Sequence, residues 1–330
     1  MAARPLILLA AMFVFASVTS SLAEPRPDPS HTLTVQVEND STVPHSDEYY
    51  TSGLRLGYTS PTGDLPEFLA NLGHSLLGGG QQRLSAELTQ LILTPHFTGD
   101  VDPPLNDRPY AGILMGTVSL IQDTDRTRTA LGVGIGLIGP AALGRQVQNG
   151  FHTLIGQTRA QGWATQIPNQ PIIQLTAERI WRVPTGRIGP LETDVLPSVT
   201  AGAGTFRIYA QAGGQLRIGQ GLDSDFGAPR IHPGLTGTDA YVQSRTPLAW
   251  YVFLGVDGQA VAWDETLDGL PFGSSRHVTR EPFVGEFQAG IAFLIWGMRI
   301  TGTQVLQTHE FVSQRAGLFS FSSVSLSMKF

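Results

Sequence analysis

Leu318-Phe319-Ser320-Phe321-Ser322-Ser323-Val324-Ser325-Leu326-Ser327-Met328-Lys329-Phe330 alternates with a period of two. Val324, Leu326, Met328 and Phe330 fall on one face, and Ser323, Ser325, Ser327 and Lys329 on the other. Successive side chains of a β-strand point to opposite faces, so this is a strand with one apolar and one polar side. As the edge of a soluble sheet, such an apolar strand would invite aggregation. In a closed barrel it has no free edge.

Working outward from it, eleven further segments read as strands of similar length. They are Thr32–Asn39, Tyr50–Ser60, Arg83–Thr94, Tyr110–Gln122, Thr127–Ile138, Pro171–Val183, Asp194–Thr205, Arg207–Gly219, Trp250–Trp263, Phe283–Ile295 and Gly297–Gln307. The total of about twelve is even, as in single-chain bacterial outer-membrane barrels. Aromatic residues at strand ends (Tyr49, Tyr50, Tyr58, Tyr110, Trp181, Trp250, Tyr251, Trp296) suit interfacial girdles. The expected fold is therefore all-β, a transmembrane antiparallel β-barrel in the bacterial outer membrane. Phe330 resembles the terminal aromatic of such barrels that their assembly machinery reads.

Composition bounds the same answer. Arg4, the apolar run Leu6 to Val14 and the small residues of Ser21-Leu22-Ala23 predict a signal peptide over 1–23, leaving 24–330 as the barrel domain. Beyond it no run of about 18 apolar residues could form a transmembrane helix. Cysteine is absent, so a secreted chain must rely on a large fold for stability. A net charge of −6 without basic runs argues against nucleic acid as a partner. Glycine is abundant, at 38 residues, which suits alternating barrel strands but equally a water-soluble β-sandwich; composition by itself does not separate the two.

One segment breaks the pattern. Pro140 to Gly156 predicts a short extracellular helix, with Pro at its start and Gly at its stop. Leu143, Val147, Phe151 and Leu154 form an apolar stripe, and Arg145, Gln148 and His152 fall opposite. The helix is expected on the barrel rim near the outer leaflet, or else as a plug over the lumen.

Three clusters could carry chemistry: Glu38-Asn39-Asp40, Tyr49-Tyr50-Thr51-Ser52-Gly53, and Gln148-Asn149 with His152. A hairpin of the first two strands would join the first pair. Carboxylate, amide and hydroxyl oxygens suit a hard cation such as Ca²⁺, and histidine is the usual general base near neutral pH. Spacing alone favours the structural reading of each cluster, since Asn-Asp is a common turn and a surface histidine is usually solvated. In a regular strand Asn39 and Asp40 face opposite sides, so both serve one site only if the strand ends or bulges there. Residues 153–160 offer no carboxylate to orient His152. Asp107-Arg108 reads as a structural acid–base pair ahead of an arginine contact to a lipid phosphate.

A resemblance changes these weights. Glu38-Asn39-Asp40, Tyr50-Thr51-Ser52-Gly53, Asn106-Asp107-Arg108-Pro109-Tyr110-Ala111-Gly112 and the run Gly136 to Gly144 resemble the lipid A 3'-O-deacylase family. So do Gln146-Val147-Gln148-Asn149 with His152, Gly162-Trp163 with Gln166, the run Tyr209 to Gly214 with Leu216 to Gly219, and Leu267-Asp268-Gly269. They keep their order over nearly the whole chain after the signal peptide. The resemblance implies a twelve-stranded barrel, Ca²⁺ dependence, and removal of the 3'-linked acyloxyacyl group of lipid A (lipopolysaccharide) in the outer leaflet. It implies His152 as the base, Asp40 as the foremost calcium ligand, Asn39 as a ligand or oxyanion-orienting group, and Thr51 as positioning the metal or the water.

Two other functions compete. A non-catalytic barrel (porin, receptor or structural) would keep these phrases for folding, and a porin would need an open, charged lumen. An outer-membrane phospholipase needs a serine beside a histidine with an orienting Asn or Asp; Phe151-His152-Thr153 is not followed by such a phrase.

Overall fold

The computed structural model describes residues 25–40, 48–231, 240–242 and 247–330; the expected signal peptide lies outside them. The strands are β1 (Thr32–Asn39), β2 (Tyr49–Thr59), β3 (Gln81–Thr94), β4 (Ala111–Asp123), β5 (Thr127–Ile138), β6 (Gln170–Trp181), β7 (Val183–Ile188), β8 (Leu191–Gly204), β9 (Arg207–Gln220), β10 (Leu248–Asp264), β11 (Phe283–Ile295), β12 (Met298–Gln307) and β13 (Phe319–Lys329). Among the described residues three α-helices interrupt them: α1 (Glu67–Leu77), α2 (Gly144–Ile155) and the short α3 (Glu265–Asp268). Strands adjacent in sequence pair antiparallel, and β1 pairs with β13 from Thr32 opposite Lys329 to Asn39 opposite Ser322. β6 and β7 follow one another along the same neighbour, β8, and form one stave. The result is a closed twelve-stave barrel with no free edge.

The alternation read from 318–330 sets the wall. Ser323, Ser325 and Ser327 are buried in the lumen, while Val324 is 58% exposed on the outside with Leu326 and Met328. The same phase repeats on β2, where Arg55 is buried and Leu54 and Leu56 are exposed. Both described chain ends and the short β4–β5, β7–β8 and β11–β12 turns lie at one rim. Short turns mark the periplasmic side of outer-membrane barrels; we call this the inner rim, and the opposite one, which carries α2 and α3, the outer rim.

The lumen is a packed interior. The described residues of the β9–β10 connection supply Asp225, Arg230 and Tyr241 to buried networks in it. Arg217 holds Asp194 at 2.6 Å and Asp225 at 2.5 Å, and Arg299 reaches Asp225 at 3.4 Å. Arg230 pairs with Glu286 at 2.9 Å. One cavity in it, of about 80 Å³, is lined by Gln211, Gln215, Asp257 and Gln288 among others, the scale of a few buried waters.

Two expectations need correction. Tyr58, Trp181 and Trp250 do face outward near the inner rim and Trp296 is 80% exposed there, but Tyr49, Tyr50, Tyr110 and Tyr251 are buried. A tyrosine ring goes inside where its hydroxyl finds a partner: Tyr50 donates to Glu38 at 2.8 Å and Tyr251 to Asp225 at 2.9 Å. The segment 140–156 is also not one helix. Pro140–Ala142 is a 3₁₀ turn, Leu143 takes the left-handed conformation (φ 62°), and α2 starts at Gly144 and stops on left-handed Gly156. The α1 helix is an element that the strand pattern did not foresee.

Candidate functional site

The site is built on the outer surface of the wall at the outer rim. On β1, Val35 and Val37 are exposed on the lipid side and Gln36 and Glu38 are buried in the lumen, so alternation puts Asn39 on the lipid side. The strand ends at Asn39 and Asp40 sits in a bend, which frees the aspartate from strand alternation. On β2 the register slips between Tyr50 and Ser52, leaving Thr51 as the extra residue of a bulge. Bulges re-aim side chains. Tyr50 stays in the lumen, whereas the Thr51 hydroxyl meets the Thr94 hydroxyl at 2.8 Å, and Thr94 shares the outward phase of Gln90 and Ile92.

These residues form two hydrogen-bonded groups, one around Thr51 and one around Asp40. Asn39 donates its Nδ2 to the Thr51 carbonyl at 2.9 Å, and the Asp40 carboxylate accepts from the Glu48 main-chain N–H at 2.6 Å. Asp40 is 1% exposed. Behind it, Glu48 pairs with His96 Nδ1 and Arg315 reaches the other ring nitrogen.

Helix α2 lies over β3 and β4 on that same outer side. Gln90, an outward residue of β3, donates to the Ala142 carbonyl at 2.7 Å. On β4, a Cβ at Gly112 would come within 3.0 Å of the Gly144 main-chain nitrogen, so the glycine permits the close approach. Trp163 packs at a tilt on Tyr110, ring centres 4.8 Å apart, and donates Nε1 to Gln148 at 2.7 Å. Asn149 binds the main chain of Ala160 in both directions. The helix is thus held with its polar side inward: Gln148 and His152 are buried, while Leu143, Phe151 and Leu154 are exposed. Three of the four stripe residues thus face lipid, while Val147 is partly buried against Ile92, Tyr110 and Trp163.

His152 is oriented by the main chain. Its Nδ1 lies 2.7 Å from the Thr158 carbonyl oxygen. A carbonyl only accepts, so Nδ1 carries the hydrogen and Nε2 of the neutral ring carries the lone pair. The partner absent from the side chains of residues 153–160 is a backbone oxygen, which no reading of side-chain types would find. Thr94 and Glu48 are further polar residues that the geometry adds, beside Thr51 and Asp40 respectively.

The donors that Asn39, Asp40 and Thr51 offer are oxygens: a carboxylate, an amide, and a main-chain carbonyl and hydroxyl. Hard cations such as calcium take that chemistry. Among the described residues no group of three His, Asp or Glu converges as a metal site, so any cation here would rest largely on neutral oxygens. Asp107 and Arg108 take the structural role. Asp107 accepts from the His96 and Arg108 main-chain N–H groups at 2.9 and 2.7 Å, and Arg108 pairs with Glu310 and with Thr266 at 3.0 Å.

Residues 6–330 match the family described as outer membrane protein LpxR. The chain belongs to the LpxR family. Its barrel is similar to LpxR from Salmonella typhimurium, with a TM-score of 0.73 and 22% identity over 91% of this chain and 100% of that one. Two other barrels align at lower similarity: the β domain of the Bordetella autotransporter BrkA (TM-score 0.43, 9% identity, 93% and 100% of the chains) and the translocator domain of NalP from Neisseria meningitidis (0.39, 12%, 92% and 88%). No curated protein matches the sequence. LpxR-family membership and the closed barrel place the chain in the outer membrane.

Proposed function

We propose that this LpxR-family barrel is a carboxylic ester hydrolase that removes the 3'-linked acyloxyacyl group of lipid A. The carrying observation is that α2 buries Gln148 and His152 against the lipid side of β3 and β4 at the outer rim, the rim at which the bulge re-aims Thr51 and β1 ends at Asn39. A site so placed opens toward a lipid in the outer leaflet rather than toward the lumen.

In this reading His152 takes the proton of the attacking water at Nε2. The resulting imidazolium keeps its Nδ1–H on the Thr158 carbonyl, which stabilises the charged ring and fixes its direction. Asn39 and Asp40 would hold a calcium ion, with the Thr51 oxygens beside them. Bound there, calcium supplies Lewis-acid polarisation of the ester carbonyl. The apolar outer side of α2, with Phe151 and Leu154, gives acyl chains a dry approach.

The filled lumen disfavours a porin, because Asp225, Arg230 and Tyr241 occupy the space that an aqueous path would need. Phe151-His152-Thr153 offers no adjoining serine to favour the phospholipase. The test is mass spectrometry of lipid A from outer membranes carrying the protein, with and without calcium, beside His152→Ala and Asp40→Ala. Loss of an acyloxyacyl mass with wild type alone supports the proposal. Unchanged lipid A with a folded wild type overturns it, and shortened glycerophospholipids would point to the phospholipase.

A further inference from the structure

Helix α1 sits on the same two strands as α2, at the opposite rim. A Cβ at its buried Gly73 would meet the Gln82 amide at 2.6 Å and Leu120 at 2.9 Å, and Gln122 donates to the Leu77 and Gly78 carbonyls at 3.1 Å. Gln82, Leu120 and Gln122 all belong to the outward phase of β3 and β4, shared with exposed Leu88 and Val118. The helix is therefore docked on the lipid-facing wall, outside the barrel.

Its two flanks differ. Phe68, Leu72 and Leu76, spaced by four, are 70%, 49% and 60% exposed and line one flank of the Gly73 contact at 100° per residue. Glu67, Asn71 and His74 line the other and are also exposed. A helix with one apolar and one polar flank, seated edge-on against a membrane barrel, has the form of an interfacial helix. Its apolar flank continues the outer belt of Leu88 and Val118 on the strands beneath. Spacing agrees. From Gly112 under α2 to Leu120 under α1, β4 advances eight residues, about 26 Å along the strand. With the usual strand tilt of roughly 40°, that is about 20 Å along the membrane normal, close to the ~25 Å apolar band of such barrels.

We propose that α1 lies in the inner leaflet of the outer membrane, with Phe68, Leu72 and Leu76 among phospholipid acyl chains, so that α1 and α2 bracket β3–β4 at the two membrane interfaces. The occupant of the stripe is lipid, because the stripe is continuous with a wall that is itself in lipid. The inference is independent of the hydrolase reading.

The chain has no cysteine, so Leu72→Cys and Asn71→Cys each provide one attachment point for a nitroxide. The barrel is folded into phosphatidylethanolamine–phosphatidylglycerol vesicles and the spectra are power-saturated with oxygen and with a water-soluble nickel chelate. The label at 72 is expected to collide with oxygen in preference to nickel, and the label at 71 the reverse. Equal nickel access at both positions overturns the proposal by placing the whole helix in water. Dipolar broadening at fully labelled position 72 overturns it in favour of a second copy on the stripe. Phe68→Cys serves as the replacement should Leu72→Cys fail to fold, with the unheated barrel's fast gel migration as the folding check.

Discussion

The Thr158 carbonyl and His152 Nδ1, 2.7 Å apart, fix which nitrogen of the imidazole can act as a base. His152→Ala is accordingly expected to lower lipid A deacylation by roughly 10²–10⁴-fold, the usual worth of a positioned general base. Barrel folding is expected to be unchanged, because Gly156 and the Trp163–Gln148 bond still hold the helix. The two readouts are deacylated lipid A per unit of folded protein and heat-dependent gel migration. Full activity in the alanine variant would remove His152 from the chemistry.

Chelation of divalent ions is expected to stop deacylation, and calcium to restore it. With Asp40 and otherwise neutral oxygens as donors, half-restoration is expected in the roughly 10⁻⁴–10⁻³ M range typical of weakly charged calcium modules. Asp40→Asn is expected to push the requirement above that range. A titration of activity against free calcium for both proteins measures this, and activity that is indifferent to chelators would refute the calcium assignment.

The seat of α2 depends on Gly112. Gly112→Val places its branched carbons against the Gly144 backbone and is expected to displace the helix while leaving the barrel closed, since residue 112 faces outward. A shift of about 1 Å in a catalytic group costs about 10²-fold in rate, so a loss of that order with unchanged gel migration is the expected outcome. An active Gly112→Val protein would show that the helix position is not critical.

Glu265, on α3, is fully buried, and among the described residues neither of its carboxylate oxygens has a hydrogen-bond partner. Burial, with the Asp264 charge adding, pushes its carboxyl up to about 8. Because the folded value lies above the unfolded one, its favourable contribution is complete below the ordinary glutamate range and is lost as pH rises toward 8. Glu265→Gln stays neutral throughout. It is expected to match wild type in thermal unfolding below pH 5 and to be the more stable protein above pH 8. Parallel curves at all pH values would contradict the buried neutral acid.

Asp225 joins Arg217 and Arg299 at the centre of the lumen. Removing one partner of a buried ion pair typically costs about 3–5 kcal/mol. Asp225→Ala is expected to lower barrel stability and to admit ion current in planar bilayers where the wild type admits none. Steady conductance through the wild-type barrel would instead favour the pore reading.

The sequence by itself determined the wall. Period-two alternation is a local property of each strand, and Thr32–Asn39, Thr127–Ile138 and Phe283–Ile295 are strands with those same bounds in the structure. The helical spacing of Phe68, Leu69, Leu72 and Leu76 is present too, but it falls between two strands, in a stretch that the alternation leaves unassigned. Only the tertiary structure decided what fills the barrel and which way the site faces. The residues meeting in the lumen, such as Arg299 and Asp225, are 74 positions apart and carry no local signature. The turn of Thr51 to the lipid side rests on one bulge residue, and the aim of His152 rests on a main-chain oxygen six residues on. Neither is written in side-chain type. Both arise only when the closed barrel and its outer helix are assembled.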